Sequence, residues 1–204
     1  MKVLIATKNK GKIEKYSSIL KNLNIDYYTL DDIDLEIDIE ENGKDTTENA
    51  IIKAKAYYEK LKAPLLVDDS GLIIDKLPQD KQPGPYVRRH NGKILTDEEI
   101  IELYSKELET VGGESTGAFV ISIAIVDEGG NVYTKDTKHK RLFISKPDVN
   151  RVPGYPLSSL IFDKELNMYM TEKKNKGVKI YAENSFIEEC EFIKSVLGGN
   201  NERE

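Results

Sequence analysis

The sequence predicts an α/β fold: a mixed β-sheet with flanking helices, arranged as two lobes around a cleft. Three observations carry that expectation. Short apolar runs alternate with amphipathic helical stretches over the first third of the chain. A β-rich meander occupies the middle. One apolar run, Leu65-Leu66-Val67, leads straight into Asp68-Asp69-Ser70-Gly71, the layout of a buried strand that delivers charge to the edge of a sheet.

In chain order, Lys2 to Ala6 is a short strand, and Thr7-Lys8-Asn9-Lys10-Gly11-Lys12 a polar turn. A helix follows to about Leu23, with Ile13, Tyr16, Ile19, Leu20 and Leu23 on one face. Ile25 to Leu30 reads as a second strand. Leu35, Ile37 and Ile39 alternate with Glu36, Asp38 and Glu40, the pattern of a half-exposed strand. Asp45 with Glu48 marks a helix start. That helix carries Ala50, Ile51, Ala54, Tyr57, Tyr58 and Leu61 inward and stops before Pro64.

Beyond the acidic run, Leu72 to Ile74 is a short apolar piece, and residues 75 to 93 form a long surface loop. A helix from Asp97 to Glu109 buries Ile100, Ile101, Tyr104 and Leu108. Ala118 to Val126 is a long strand. Gly129-Gly130-Asn131 turns it into a return strand at Val132 to Thr137, with a further strand at Lys140 to Ser145. Residues 147 to 160 read as a loop. Ser185 with Glu188 starts a final helix that points Phe186, Ile187, Cys190, Ile193, Val196 and Leu197 inward. Residues 1–197 are therefore expected to form a single two-lobed domain, and 198–204 a polar tail.

Composition narrows the function. Of 204 residues, 39% are hydrophobic and 32% charged, which suits a globular protein and argues against disorder. No apolar run is long enough to span a bilayer, and the first apolar stretch is too short for a signal peptide. One cysteine excludes an internal disulfide, and two histidines disfavour a zinc site. The expectation is a cytoplasmic protein. A net charge of -6 offers no bulk attraction to nucleic acid or an anionic membrane, so any phosphate-bearing ligand needs a local basic site.

Such a site can be assembled. The turn at residues 7–12 feeds a helix N-terminus, where free N–H groups and the helix dipole favour anions, and Lys8, Lys10 and Lys12 add positive charge. It is not a P-loop, because GxxxxGK[ST] is absent. Lys53 lies near the apolar face of the second helix, a position that suits either a snorkelling lysine or one aimed at a phosphate. Glu41, Asp68 and Asp69 lie at strand ends. Carboxylates of this kind hold Mg²⁺ together with substrate phosphates, and a spare one deprotonates water. Taken alone, Asp68-Asp69-Ser70-Gly71 fits a strand followed by a solvated turn equally well.

The motifs Thr7-x-Asn9-x-x-Lys12, the Glu41 position, Glu48-Asn49-Ala50-x-x-Lys53-Ala54, Val67-Asp68-Asp69-Ser70-Gly71 and Pro83-Gly84-Pro85-Tyr86 occur in that order. Together they resemble the inosine/xanthosine triphosphate pyrophosphatase family, the Ham1-like enzymes. The resemblance implies a Ham1/Maf-like fold, an elongated mixed β-sheet with two lobes around a central cleft, as well as a homodimer and Mg²⁺-dependent hydrolysis of a non-standard purine nucleoside triphosphate to the monophosphate and pyrophosphate. It also assigns roles. Thr7, Lys8, Asn9, Lys10, Gly11, Lys12 and Lys53 bind the triphosphate, and Glu41 and Asp69 serve the metal. Asp69 is the general base supported by Asp68, and Ser70 and Arg89 contact substrate.

The second half departs from the family. Pro153-Gly154-Tyr155-Pro156 stands where the family has Phe-Gly-Tyr-Asp. The family's Ser-His-Arg is missing, and Val178-Lys179-Ile180 stands nearby. Tyr155 can still stack on a base and Lys174 can still reach the ligand, although an exposed loop tyrosine and a solvated lysine fit the sequence at least as well; altered base specificity is expected. A protein that binds nucleotides without turnover is the alternative.

Overall fold

The computed structural model describes residues 2–33, 35–90, 92–176 and 186–198, without the side chains of residues 174 and 175. The strands are β1 (Lys2–Ile5), β2 (Asp26–Thr29), β3 (Leu65–Ile74), β4 (Arg89–His90), β5 (Lys93–Ile94), β6 (Glu114–Val126), β7 (Val132–Ile144), β8 (Ile161–Asp163) and β9 (Met168–Tyr169). The helices are α1 (Lys10–Asn22), α2 (Thr46–Leu61), α3 (Asp97–Thr110), α4 (Met170–Asn175) and α5 (Ile187–Leu197). Seven strands form one sheet in the order β2-β1-β3-β6-β7-β8-β9. β1 is parallel to β2 and β3, and β7-β8-β9 are antiparallel, so the sheet is mixed as expected. The chain forms two compact units, and β3, β6 and β7 each run from one into the other.

In the first unit (residues 1–70, 121–137 and 186–204) side-chain alternation divides the core by sheet face. Val3, Ile5, Leu66, Ile123 and Ile125 pack with Tyr16, Ile19 and Leu20 of α1 and Ile193 and Leu197 of α5. Their neighbours Leu4, Ala6, Leu65, Val67, Ala124 and Val126 face the other way, onto Ala50, Ala54 and Tyr57 of α2. α1 is capped by Asn9, whose side chain accepts from the Lys12 N–H. α2 is capped by Asp45, and it ends on Lys62 in the left-handed conformation (φ 49), two residues before Pro64.

The second unit (residues 71–120 and 138–185) is built on Leu72, Ile74, Ile100, Ile101, Tyr104, Leu108, Phe143, Leu157, Leu160 and Ile161. α3 carries a full capping box between Thr96 and Glu99. The Lys93 ammonium and the Thr96 N–H and hydroxyl hold the Glu99 carboxyl down to about 2. Gly117 sits where β6 runs against β3. A Cβ there would lie 2.4 Å from the Ile73 carbonyl oxygen and 3.0 Å from the Phe143 ring. The backbone oxygen cannot step aside, so Gly117→Ala is expected to cost about 1–3 kcal/mol or more by overpacking. Urea unfolding would measure it as a lower midpoint at unchanged slope.

The structure corrects several sequence expectations. Residues 35–40 form no strand. Leu35, Ile37 and Ile39 do alternate inward and pack beside the α2 core, but the segment enters no ladder, because packing alone keeps an extended chain amphipathic. Val132–Thr137 and Lys140–Ser145 are one continuous strand, β7. Ile187, expected inside, is 46% exposed, while Glu189 is buried. β8, β9 and α4 were not anticipated; their runs are two to six residues long, too short for periodicity to register. The end of the loop 75–93 is not irregular: β4 pairs antiparallel with β5, which runs one residue past it. The cap residue Ser185 and all of the polar tail except Gly198 lie outside the described residues.

Candidate active site

The largest correction concerns the acidic pair. Asp68 and Asp69 do not end a strand: β3 continues for ten residues through Ser70 and Gly71 to Ile74. Successive side chains in a strand point to opposite faces. Asp68 therefore follows Leu66 onto the α1 face, and Asp69 follows Val67 onto the α2 face. The two carboxylates do not share one pocket, so no cation is needed between them.

Each aspartate meets one helix through a pair of residues four apart. On the α1 face, the Lys12 ammonium is 2.9 Å from Asp68 Oδ1, and the Tyr16 hydroxyl donates to Asp68 Oδ2 at 3.0 Å. Burial, then the Asp68 charge, pushes the Tyr16 hydroxyl well above its ordinary range, so it stays a donor. On the α2 face, the Lys53 ammonium donates to Asp69 Oδ1 at 2.7 Å, and the buried Asn49 amide donates to Asp69 Oδ2 at 3.4 Å. Residues i and i+4 stand one above the other on a helix, which is why both pairs can reach one strand.

Lys53 also lies 3.5 Å from Glu41 Oε2. Its ammonium thus bridges two carboxylates, Asp69 and Glu41. Asn49 fixes the segment that brings Glu41 there, since its Oδ1 accepts from the Gly43 N–H at 2.8 Å. Among the described residues no group of three or more Asp, Glu, His or Cys side chains could hold a metal. Two hard oxygen donors remain, Glu41 and Asp69. That set fits Mg²⁺, which keeps several waters and binds one or two carboxylates plus substrate phosphates.

The other expected residues are dispersed in role. The Thr7 hydroxyl accepts from the Asn9 N–H at 3.2 Å, and Asn9 in turn caps α1, so the turn is a rigid helix start. Gly11 lies in the first turn of α1; Lys10 is exposed there. The Lys8 ammonium pairs with Glu36 at 2.5 Å on the surface rather than with either aspartate. Ser70 is half-buried in β3. Arg89 is exposed in β4, and its neighbour Arg88 makes the structured contacts, with Asp97 and with the Gly154 carbonyl oxygen. Tyr155 is 49% exposed, just before a single helical turn, Pro156–Ser159. The Lys174 side chain and residues 178–180 lie outside the described residues.

A buried charge pair backs the α1 face. The Lys15 ammonium is 3.5 Å from Glu189 Oε1 and lies over the Tyr16 and Phe186 rings, at 4.8 and 4.6 Å from their centroids. The Thr137 hydroxyl donates to Glu189 at 3.2 Å. Burial lowers the Lys15 ammonium pKa, with Glu189 and Asp68 pulling the other way. Sequence reasoning gave no role in the site to Asn49, quoted only within a motif, to Tyr16, read only as core, or to Lys15 and Glu189. For the first two, their spacing of four from Lys53 and Lys12 was the available signal.

Fold and site define the class: a mixed-sheet α/β protein in which two adjacent carboxylates of one strand are paired with ammonium groups of the helices on its two faces. The chain belongs to the Ham1 family, whose model matches residues 3–155. It is 34% identical over 172 residues to a dITP/XTP pyrophosphatase of Geobacter sulfurreducens, covering 84% of each chain. It is 41% identical over 176 residues to a dITP/XTP pyrophosphatase of Halalkalibacterium halodurans, covering 85% of this chain and 90% of that one. The solved Ham1 protein of Staphylococcus aureus has the same fold, with a TM-score of 0.75 at 23% identity over 96% of this chain and 99% of that one.

Proposed function

We propose that this chain is a Mg²⁺-dependent nucleoside triphosphate pyrophosphatase, acting as a cytoplasmic homodimer on a non-standard purine nucleotide. It is a hydrolase of phosphoanhydride bonds, and its relatives carry the name dITP/XTP pyrophosphatase. The observation that carries the reading is the Lys53 ammonium held between Asp69 and Glu41. A lysine in that position neutralises the two carboxylates, and with Glu41 and Asp69 holding a divalent cation it would be left to meet a phosphate.

In this reading residues 7–12 and Lys53 hold the triphosphate, while Ser70, Arg89, Tyr155 and Lys174 contact the rest of the nucleotide. Residues 1–197 form the catalytic domain, and 198–204 a tail. Glu41 and Asp69 would hold Mg²⁺, which supplies charge neutralisation and polarises phosphate oxygen. Asp69 takes the proton of the attacking water. The water oxygen bonds to phosphorus, the α–β phosphoanhydride P–O bond breaks, and monophosphate and pyrophosphate leave. Asn49 keeps the second oxygen of Asp69 engaged and so fixes which oxygen faces the water. Asp68, on the opposite face, holds Lys12 and Tyr16 and thereby sets the phosphate-binding turn.

Pyrophosphate release from ITP, XTP, dITP and the standard triphosphates, each with Mg²⁺ and with chelator, tests this. Turnover of the non-standard purines with Mg²⁺, lost on chelation, is the expected result. No turnover of any of them would overturn it.

A further inference from the structure

Asp68 is a buried carboxylate whose counter-ion reaches solvent. The Asp68 side chain is 2% exposed and that of Lys12 25%. The two meet at 2.9 Å on Oδ1, and among the described residues no hydrogen bond is directed at that oxygen. Lys12 is therefore held to Asp68 by charge rather than by direction. Its backbone is fixed, because Asn9 accepts from the Lys12 N–H at 3.2 Å. Its four-carbon stem is flexible, and the ammonium at its end can turn to another anion.

The other oxygen is bound differently. The Tyr16 hydroxyl donates to Asp68 Oδ2 at 3.0 Å. The Tyr16 ring is fully buried among Ile19, Leu20 and Leu66, and the Lys15 ammonium lies 4.8 Å from its centroid. A hydroxyl on a ring packed in this way stays on Asp68 whatever Lys12 does. Lys12, Tyr16 and Asp68 all belong to the first unit. A buried carboxylate that loses its counter-ion is strongly destabilised. Lys12 leaves Asp68 for a phosphate only against that cost. The Tyr16 hydroxyl lowers it, because a hydrogen bond to a carboxylate strengthens when no nearby cation shares the charge.

We propose that Tyr16 is a positioning residue for the phosphate site: its hydroxyl holds the Asp68 charge and so releases Lys12 to a triphosphate. The inference rests on the proposed triphosphate chemistry and deepens it, by naming the group that makes a paired lysine available to the ligand.

Tyr16→Phe tests it on the full chain, alone and in an Asp68→Asn background. The substitution keeps the buried ring and removes only the donor. The Asp68→Asn background leaves no carboxylate charge to be stranded. Calorimetry with inorganic tripolyphosphate and Mg²⁺ reads the affinity of each protein, beside its thermal unfolding. Tyr16→Phe alone is expected to weaken tripolyphosphate about fivefold, a fraction of what a hydrogen bond to a charged group contributes. In the Asp68→Asn background the same substitution should change the affinity by less than about twofold. A tyrosine with a merely structural role would lower Tm without this difference between backgrounds. Equal weakening in both backgrounds would overturn the proposal. So would unchanged affinity in Tyr16→Phe alone, and so would a wild type that does not bind tripolyphosphate. A wild type that binds tripolyphosphate but hydrolyses no nucleoside triphosphate would sink the proposed reaction alone, because the comparison is read from binding and not from turnover.

Discussion

Asp69→Asn is expected to lower kcat by about 10³-fold, roughly 4 kcal/mol of transition-state stabilisation, with the fold intact. Two roles are lost together. The amide is a poor proton acceptor, and it is a weaker ligand than a carboxylate for a hard cation. Lys53 would lose the charge of its nearer partner and keep Glu41, 3.5 Å away, as its carboxylate. Asp68→Asn makes the comparison sharp. Its side chain faces α1, and an amide oxygen there still accepts from the Tyr16 hydroxyl. It should cost at least about tenfold less in kcat than Asp69→Asn. Steady-state kinetics of both variants with dITP, beside thermal unfolding of each, decides the matter. Equal losses in the two would mean that the aspartates act as one unit on one face, against the geometry of β3.

That comparison is also where sequence and structure part company. The run Leu65 to Gly71 announced itself as a buried strand carrying charge. It was expected to stop at the acidic pair, because two adjacent carboxylates and a glycine look like a turn. Leu72, Ile73 and Ile74 are strand formers, and they carry β3 through the glycine. The period of two then separates the charges without further help. Helix spacing was legible in the same way: Lys12 with Tyr16, and Asn49 with Lys53, are faces that can be drawn from the sequence once the helices are placed. Contacts that rest on a backbone reversal were not legible. Arg88 rather than Arg89 meets Asp97, and no local pattern distinguishes the two arginines. Residues 35–40 mark the opposite limit, where a correct inward alternation came with no ladder.

Glu189 illustrates a second kind of silence. On a helix with Glu188 and Glu191 beside it, it reads as one more solvated charge, yet its side chain is 1% exposed and that of Lys15 only 13%. Removing one member of a buried ion pair leaves the other charge stranded. Glu189→Gln is therefore expected to destabilise by about 3–5 kcal/mol, or roughly 10 °C in Tm for a chain of this size. Gln keeps an acceptor for the Thr137 hydroxyl, so the loss reports the charge and not that bond. The double variant Lys15→Met with Glu189→Gln removes both charges and should recover most of it, because an apolar side chain of similar length over the Tyr16 and Phe186 rings carries no desolvation cost. The wild type has a matching pH signature. The Lys15 pKa is lower folded than unfolded, so the unfolded chain binds more protons between the folded value and 10.5, and this group's contribution to stability rises with pH across that window. Lys15→Met should flatten that rise. Urea unfolding from neutral to alkaline pH reads all of these at once; a Glu189→Gln variant within about 1 kcal/mol of wild type would mean that the pair is solvated, and that the α1 face of β3 is not the closed charged core described.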